Sequence, residues 1–143
     1  MLNNFLKKKN MQLILIVTLY FFAGINKLIN NKMYIPIFKN ELINLLKLQK
    51  INININFLIT LVYLAGIFEI LSTIIIFVGI NNIINIKFAK YTIICLIIFT
   101  IFATIIFHNP ILEKTTEKIG IKLYHLLKNM SIIGGLWSFY DIV

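Results

Sequence analysis

Four apolar blocks, Met11–Ile29, Phe57–Ile80, Phe88–Phe107 and Leu123–Val143, occupy most of the 143 residues and leave only short tails and loops for water. A bilayer core about 30 Å thick takes roughly 20 apolar helical residues to cross. In lipid the backbone must satisfy its own hydrogen bonds, so each block is read as a helix. The expected fold class is an all-α membrane protein: a four-helix transmembrane bundle with an amphipathic segment at 36–49 in the first loop. Residues 1–143 form one membrane domain, because no stretch outside the blocks is long enough to bury a core of its own.

The fourth block is the least regular. Its unbroken apolar run, Met130–Val143, is too short to cross, and starting at Leu123 brings in His125 and Lys128. The longer version draws support from a stripe of small and polar residues, His125, Lys128, Ser131, Gly134, Gly135, Ser138 and Asp141, at steps of three or four. Such a face suits a bundle interior. The alternative is three spans and a half-embedded helix. In the first loop, Pro36 is expected to open the amphipathic helix. There Ile37, Phe38, Leu42, Leu45 and Leu46 interleave with Lys39, Asn40, Glu41, Asn44 and Lys47. Ile51–Asn56 alternates with period two without demanding a strand. Such Asn-Ile repeats follow from biased composition.

Hydrophobic residues make up 59% of the chain and charged residues 13%, about half the charged share of a soluble domain. The net charge of +9 comes from lysine alone, with no arginine. These lysines flank the blocks, where basic residues meet anionic lipid headgroups. With no arginine for bidentate base readout and no nucleic-acid motif, nucleic-acid binding is excluded as a function class. Cys95, inside the third block, has no partner for an intrachain disulfide or a CxxC centre, and is read as a small packing residue. The Lys7–Lys9 run followed by an apolar stretch imitates a signal peptide. Phe21 stands where a cleavage site needs a small residue, so the run is expected to stay as the first span. That basic start argues that both chain ends face the cytoplasm, although the opposite loops carry more lysine in total.

Function in such a chain is sought at intramembrane polar groups. Successive spans alternate in direction, so Asn26 and Lys27, His108 and Asn109, and His125, Lys128 and Asn129 all belong to one leaflet. Glu69 lies near the middle of the second span. By helical rise, Lys128 comes within about 8–10 Å of it along the bundle axis, and Lys27 lies slightly farther. The expected site is Glu69 beside Lys128, with Lys27, His108 and His125 above. Tyr20 shares a helix face with Gly24 and Lys27. The plainer reading has the lysines snorkelling to the headgroups, the histidines interfacial, and Glu69 fixing helix register. Two histidines in one leaflet would suit haem, but both end spans and no attachment motif is present, which argues against it. No carboxylate–histidine cluster points to a metal.

Leu19-Tyr20-Phe21-Phe22-Ala23-Gly24-Ile25-Asn26-Lys27, Gly66-Ile67-Phe68-Glu69, Phe107-His108 and the stretch from His125 to Gly135 together resemble the DoxX and DoxX-like family of small four-span membrane proteins. The resemblance touches every block. It implies a four-helix bundle with a polar pocket, in a family associated with quinone-linked oxidation of sulfur compounds and with membrane assemblies that defend against oxidants. The arginine often found early in the family's first span is missing. Lys27, Glu69, His108 and Lys128 carry over as pocket candidates. The resulting expectation is an accessory or quinone-interacting component of a membrane redox system, with no redox centre of its own and no catalysis by this chain alone. The other expectation is a non-enzymatic helper for folding, trafficking or transport that binds a small hydrophobic ligand. Expected partners are the bilayer and a membrane protein or second copy of the chain.

Overall fold

The computed structural model describes residues 2–46 and 54–140, with side chains from Met11 onward. The parts of the above patterns that fall on 47–53 and 141–143, including Lys47, Ile51 and Asp141, lie outside the described residues. The described chain is helical, in the order α1 (Leu2–Ile29), α2 (Asn31–Leu46), α3 (Ile55–Ile80), α4 (Ile86–Phe107), a short 3-10 turn (Pro110–Leu112) and α5 (Thr116–Tyr140).

Asparagines punctuate these helices. Asn54 caps α3 and Asn85 caps α4, each accepting from the backbone N–H two residues on, which satisfies one of the free donors at a helix start. Between α3 and α4 the chain reverses through Asn82, whose φ of 57° is left-handed, a conformation asparagine tolerates better than most residues. His108 ends α4 two residues before Pro110.

The antiparallel helices contact one another in a ring, α1 on α3, α3 on α4, α4 on α5 and α5 back on α1, with α2 laid across α3, α4 and α1. The buried positions of α3 recur every three or four residues, from Leu58 through Gly66, Glu69 and Ser72 to Gly79, so one stripe faces the ring. The apolar core is set toward the end where the chain begins. Leu13 and Val17 of α1 meet Ile76, Ile93, Leu96 and Leu136 there. Outward faces are also apolar, as at Leu15, Leu64, Leu71 and Phe102, which is the surface a bilayer requires rather than water.

Three stretches are long and apolar enough to cross a membrane: Met11–Ile29, Ile55–Ile80 and Ile86–Leu112. At 25 residues α5 is long enough, but it is not apolar enough. Glu117, Lys118, Lys122, His125, Lys128 and Asn129 crowd its first half.

Two expectations are corrected. Pro36 does not open the amphipathic helix, which begins at Asn31 and holds Pro36 inside. Proline there deprives the carbonyl four residues earlier of its N–H partner. That carbonyl belongs to Lys32, an exposed residue. The small and polar stripe of α5 lines the interior only in part. His125 and Gly135 face inward, against His108 and Ile16, but Lys128, Ser131, Gly134 and Ser138 are exposed, and the inward stripe is Ile132, Ile133, Leu136 and Phe139. The periodicity is helical on both faces. The larger apolar side chains pack the ring more densely than the small ones would.

Candidate functional site

The α1–α3 contact builds the site. A Cβ on Gly24 would stand 2.6 Å from the carbonyl oxygen of Gly66, and one on Gly66 would stand 3.0 Å from that of Gly24. Two glycines at one level let the backbones approach as no other pair would. One turn beyond each glycine in its own chain direction are Lys27 and Glu69. The Lys27 ammonium donates to both carboxylate oxygens, at 2.7 Å to Oε1 and 2.6 Å to Oε2. Glu69 is 3% exposed, whereas the Lys27 side chain is 21% exposed, so the pair is reached from the lysine side.

Glu69 is therefore held by Lys27 and not by Lys128, which is exposed and makes no ion pair among the described residues. The reason is the direction in which helical side chains lean. Every Cα–Cβ bond tilts toward its helix N-terminus. Lys27 on α1 leans back into the bundle, and Glu69 on antiparallel α3 leans outward toward it. These opposed leans close an axial offset of about 9 Å. Lys128 lies on α5, which runs parallel to α3, and it leans toward its own N-terminus and away from the deeper acid. In addition, α5 packs on α4 and α1 rather than on α3.

The other candidates form a second polar group, along α4. Thr100, Thr104 and His108 stand at four-residue steps on one face. The Tyr20 hydroxyl, itself buried, pairs with that of Thr100. Asn129 donates to the Thr104 hydroxyl at 2.9 Å. One turn farther along, the rings of His108 and His125 stack with centroids 4.8 Å apart and planes 20° apart. Nδ1 of His125 is enclosed and has no hydrogen-bond partner among the described residues. Asn26 is exposed and donates to the Tyr34 hydroxyl of α2 at 2.6 Å. The face shared by Tyr20, Gly24 and Lys27 is confirmed, and it joins α1 to both α3 and α4.

A third cluster was not anticipated. Lys122 of α5 donates to Glu41 of α2 at 2.7 Å and pairs with Glu113 at 2.7 Å. The hydrogen bond from Lys122 holds the Glu113 carboxyl below its ordinary range. No local pattern announces this contact, because Glu41 and Lys122 are 81 residues apart. A cavity of about 170 Å³ opens beside it, and a groove of about 420 Å³ runs between α1 and α5. Neither borders Glu69.

Chemically, an ammonium with three N–H donors spends two on Glu69, which leaves one for a ligand acceptor. No family model, curated protein or solved structure matches this chain.

Proposed function

We propose that this chain is a four-span integral membrane protein, similar to the DoxX-like family. On this reading it serves as an accessory component of a membrane redox system, holding the headgroup of a carbonyl-bearing amphipathic ligand of the quinone class at Lys27. The observation that carries the reading is the Lys27–Glu69 pair. A carboxylate this deep is costly unless a cation holds it. The carboxylate in turn fixes a half-buried ammonium with its third donor free for a carbonyl oxygen. Deeper on the same face of α1, the buried Tyr20 hydroxyl pairs with that of Thr100. As the fourth span, α5 is about 37 Å long by helical rise, enough to cross, with its polar first half at the end where α2 lies. Binding and positioning are the roles these groups support, and electron transfer would belong to a partner.

Calorimetric titration of the detergent-purified protein with a short-chain quinone analogue tests this. Lys27→Met and Glu69→Gln are both expected to weaken binding by about tenfold or more, the scale of one charge-assisted hydrogen bond. Unchanged affinity in Lys27→Met overturns the reading. A second reading, a non-enzymatic helper in which the pair only locks α1 to α3, is favoured by its position one turn from the Gly24–Gly66 contact. On that reading the two variants lose thermal stability, while the wild-type protein shows no ligand heat.

A further inference from the structure

The groove between α1 and α5 lies at the opposite end of the bundle from Lys27. It is bordered by Gln12, Leu15, Ile16, Gly135, Ser138 and Phe139. Gly135 packs directly against Ile16 in its wall. A Cβ there would stand 2.7 Å from the Cδ1 of Ile16, so a larger residue would push Ile16 aside. Its floor is apolar, and its two polar side chains, Gln12 and Ser138, are exposed.

The charge around this end is one-sided. It gathers the start of α1, the end of α3, the start of α4 and the end of α5. Lys7, Lys8, Lys9, Lys87 and Lys90 belong to those segments, and in sequence only Asp141 opposes them. Among the described residues the acids Glu41, Glu113 and Glu117 belong to segments at the other end, and Glu69 is spent on Lys27. Register adds a placement. Lys8 precedes Gln12 by one turn and Leu15 by two, so its Cα stands on the face of α1 that borders the groove. At α4, Lys90 lies over the Tyr140 ring with its ammonium 5.6 Å from the centroid.

We infer that the α1–α5 groove is a site for one acyl chain of an anionic phospholipid, whose headgroup lies at the cationic end of the bundle where α1 begins. The apolar floor takes the chain, and the surplus of cations selects the charge of the headgroup. A zwitterionic lipid with the same chains gains only the first of these. The inference is independent of the Lys27 ligand, since the two sites lie at opposite ends.

The test is native mass spectrometry of the intact chain released from detergent, with palmitoyl-oleoyl phosphatidylglycerol or phosphatidylcholine added at equal concentration. One phosphatidylglycerol is expected to be retained in clear preference. Each Lys→Gln change among Lys7, Lys8 and Lys9 is expected to weaken retention about fivefold, the factor one juxtamembrane lysine contributes near an anionic surface. Ser138→Leu, at an exposed position where folding is not at stake, is expected to abolish the preference by filling the groove, and Gly135→Leu to do the same by displacing Ile16. Equal retention of the two lipids overturns the inference. So does a Ser138→Leu variant with wild-type preference. A dimer that excludes lipid and is lost in Ser138→Leu would assign the groove to a second copy of the chain and overturn it as well.

Discussion

At the scale of single residues, the ion pair is asymmetric, and its variants should be as well. Removing Lys27 strands a carboxylate that is 3% exposed, whereas removing Glu69 leaves a lysine already 21% exposed and free to snorkel. Lys27→Met is therefore expected to cost about 3 kcal/mol, the low end of what breaking a buried pair costs, and Glu69→Gln distinctly less. The double variant Lys27→Met/Glu69→Leu is expected to recover most of the loss, because an apolar pair of similar volume needs no desolvation of charge. Reversible unfolding in mixed micelles measures all three, and equal losses in the two single variants would show that the burial difference does not control the energetics. The stacked histidines allow a sharper substitution. His125→Phe keeps a ring against His108 and deletes the enclosed Nδ1 that has no partner. An unsatisfied buried nitrogen costs about 1–3 kcal/mol, so the variant is expected to unfold at a higher temperature than the wild type. His125→Ala loses the stack and is expected to unfold at a lower one.

At the scale of helices, what was legible and what was not separates cleanly along physical lines. Helix extents follow from hydrophobic length and from asparagine and proline punctuation, so α3 and α4 begin within two residues of their apolar blocks. The faces of α1 and α3 were legible too, because Gly24, Gly66 and Glu69 are exceptions within apolar runs. The inward face of α5 was not. Its small and polar stripe and its apolar stripe share one period, and the period alone does not say which one meets the ring. The partner of Glu69 does not follow from axial distance alone, because the lean of side chains toward the helix N-terminus reverses between antiparallel helices. Gly24→Leu tests the close contact. Its Cβ would meet backbone rather than a movable side-chain tip, so α1 must move off α3, at a cost of about 1–3 kcal/mol. Gly134→Ala, with open space around it, is expected to gain a few tenths to about 1 kcal/mol of helix propensity. The clamp holding α2 to α5 has its own pH window. Glu113 is held below its ordinary value of 4.5. Its contribution is thus present above about pH 4.5 and fades as pH falls through its lower folded value. Hydrogen exchange of α2 amides, corrected for the intrinsic pH dependence, is expected to show opening rise as pH falls through that value. Lys122→Met should flatten the profile.

At the scale of the molecule, the structure is divided lengthwise into an apolar half and a polar half. Leu13, Val17, Ile76, Ile93, Leu96 and Leu136 fill the end where the chain begins. Lys27, Glu69, Thr104, His108, His125, Asn129 and the Lys122 clamp fill the other, under α2. This division explains why, among the described residues, α5 is the only long helix too polar to qualify as a span on hydropathy. Its first half belongs to the polar end, where Lys122 and Asn129 are satisfied by Glu41, Glu113 and Thr104 rather than by water. Mean hydropathy charges α5 for these groups at the full cost of exposure to lipid, although their partners lie on other helices and remove much of that cost. If this is right, α5 crosses the membrane, and the chain has four spans. In a Cys95→Ser background, single cysteines at Asn82, after α3, and at Val143, after α5, are then expected to react with an impermeant maleimide from the same side of sealed vesicles. Cysteines at Lys39, on α2, and at Thr115, before α5, should react only from the other. A half-embedded α5 that turns back would bring Val143 to the side of Thr115. Because Lys122→Met leaves two acids without their cation, that variant is also the one in which α5 should insert least completely. Protection at Thr115 should weaken there while Asn82 keeps its wild-type pattern.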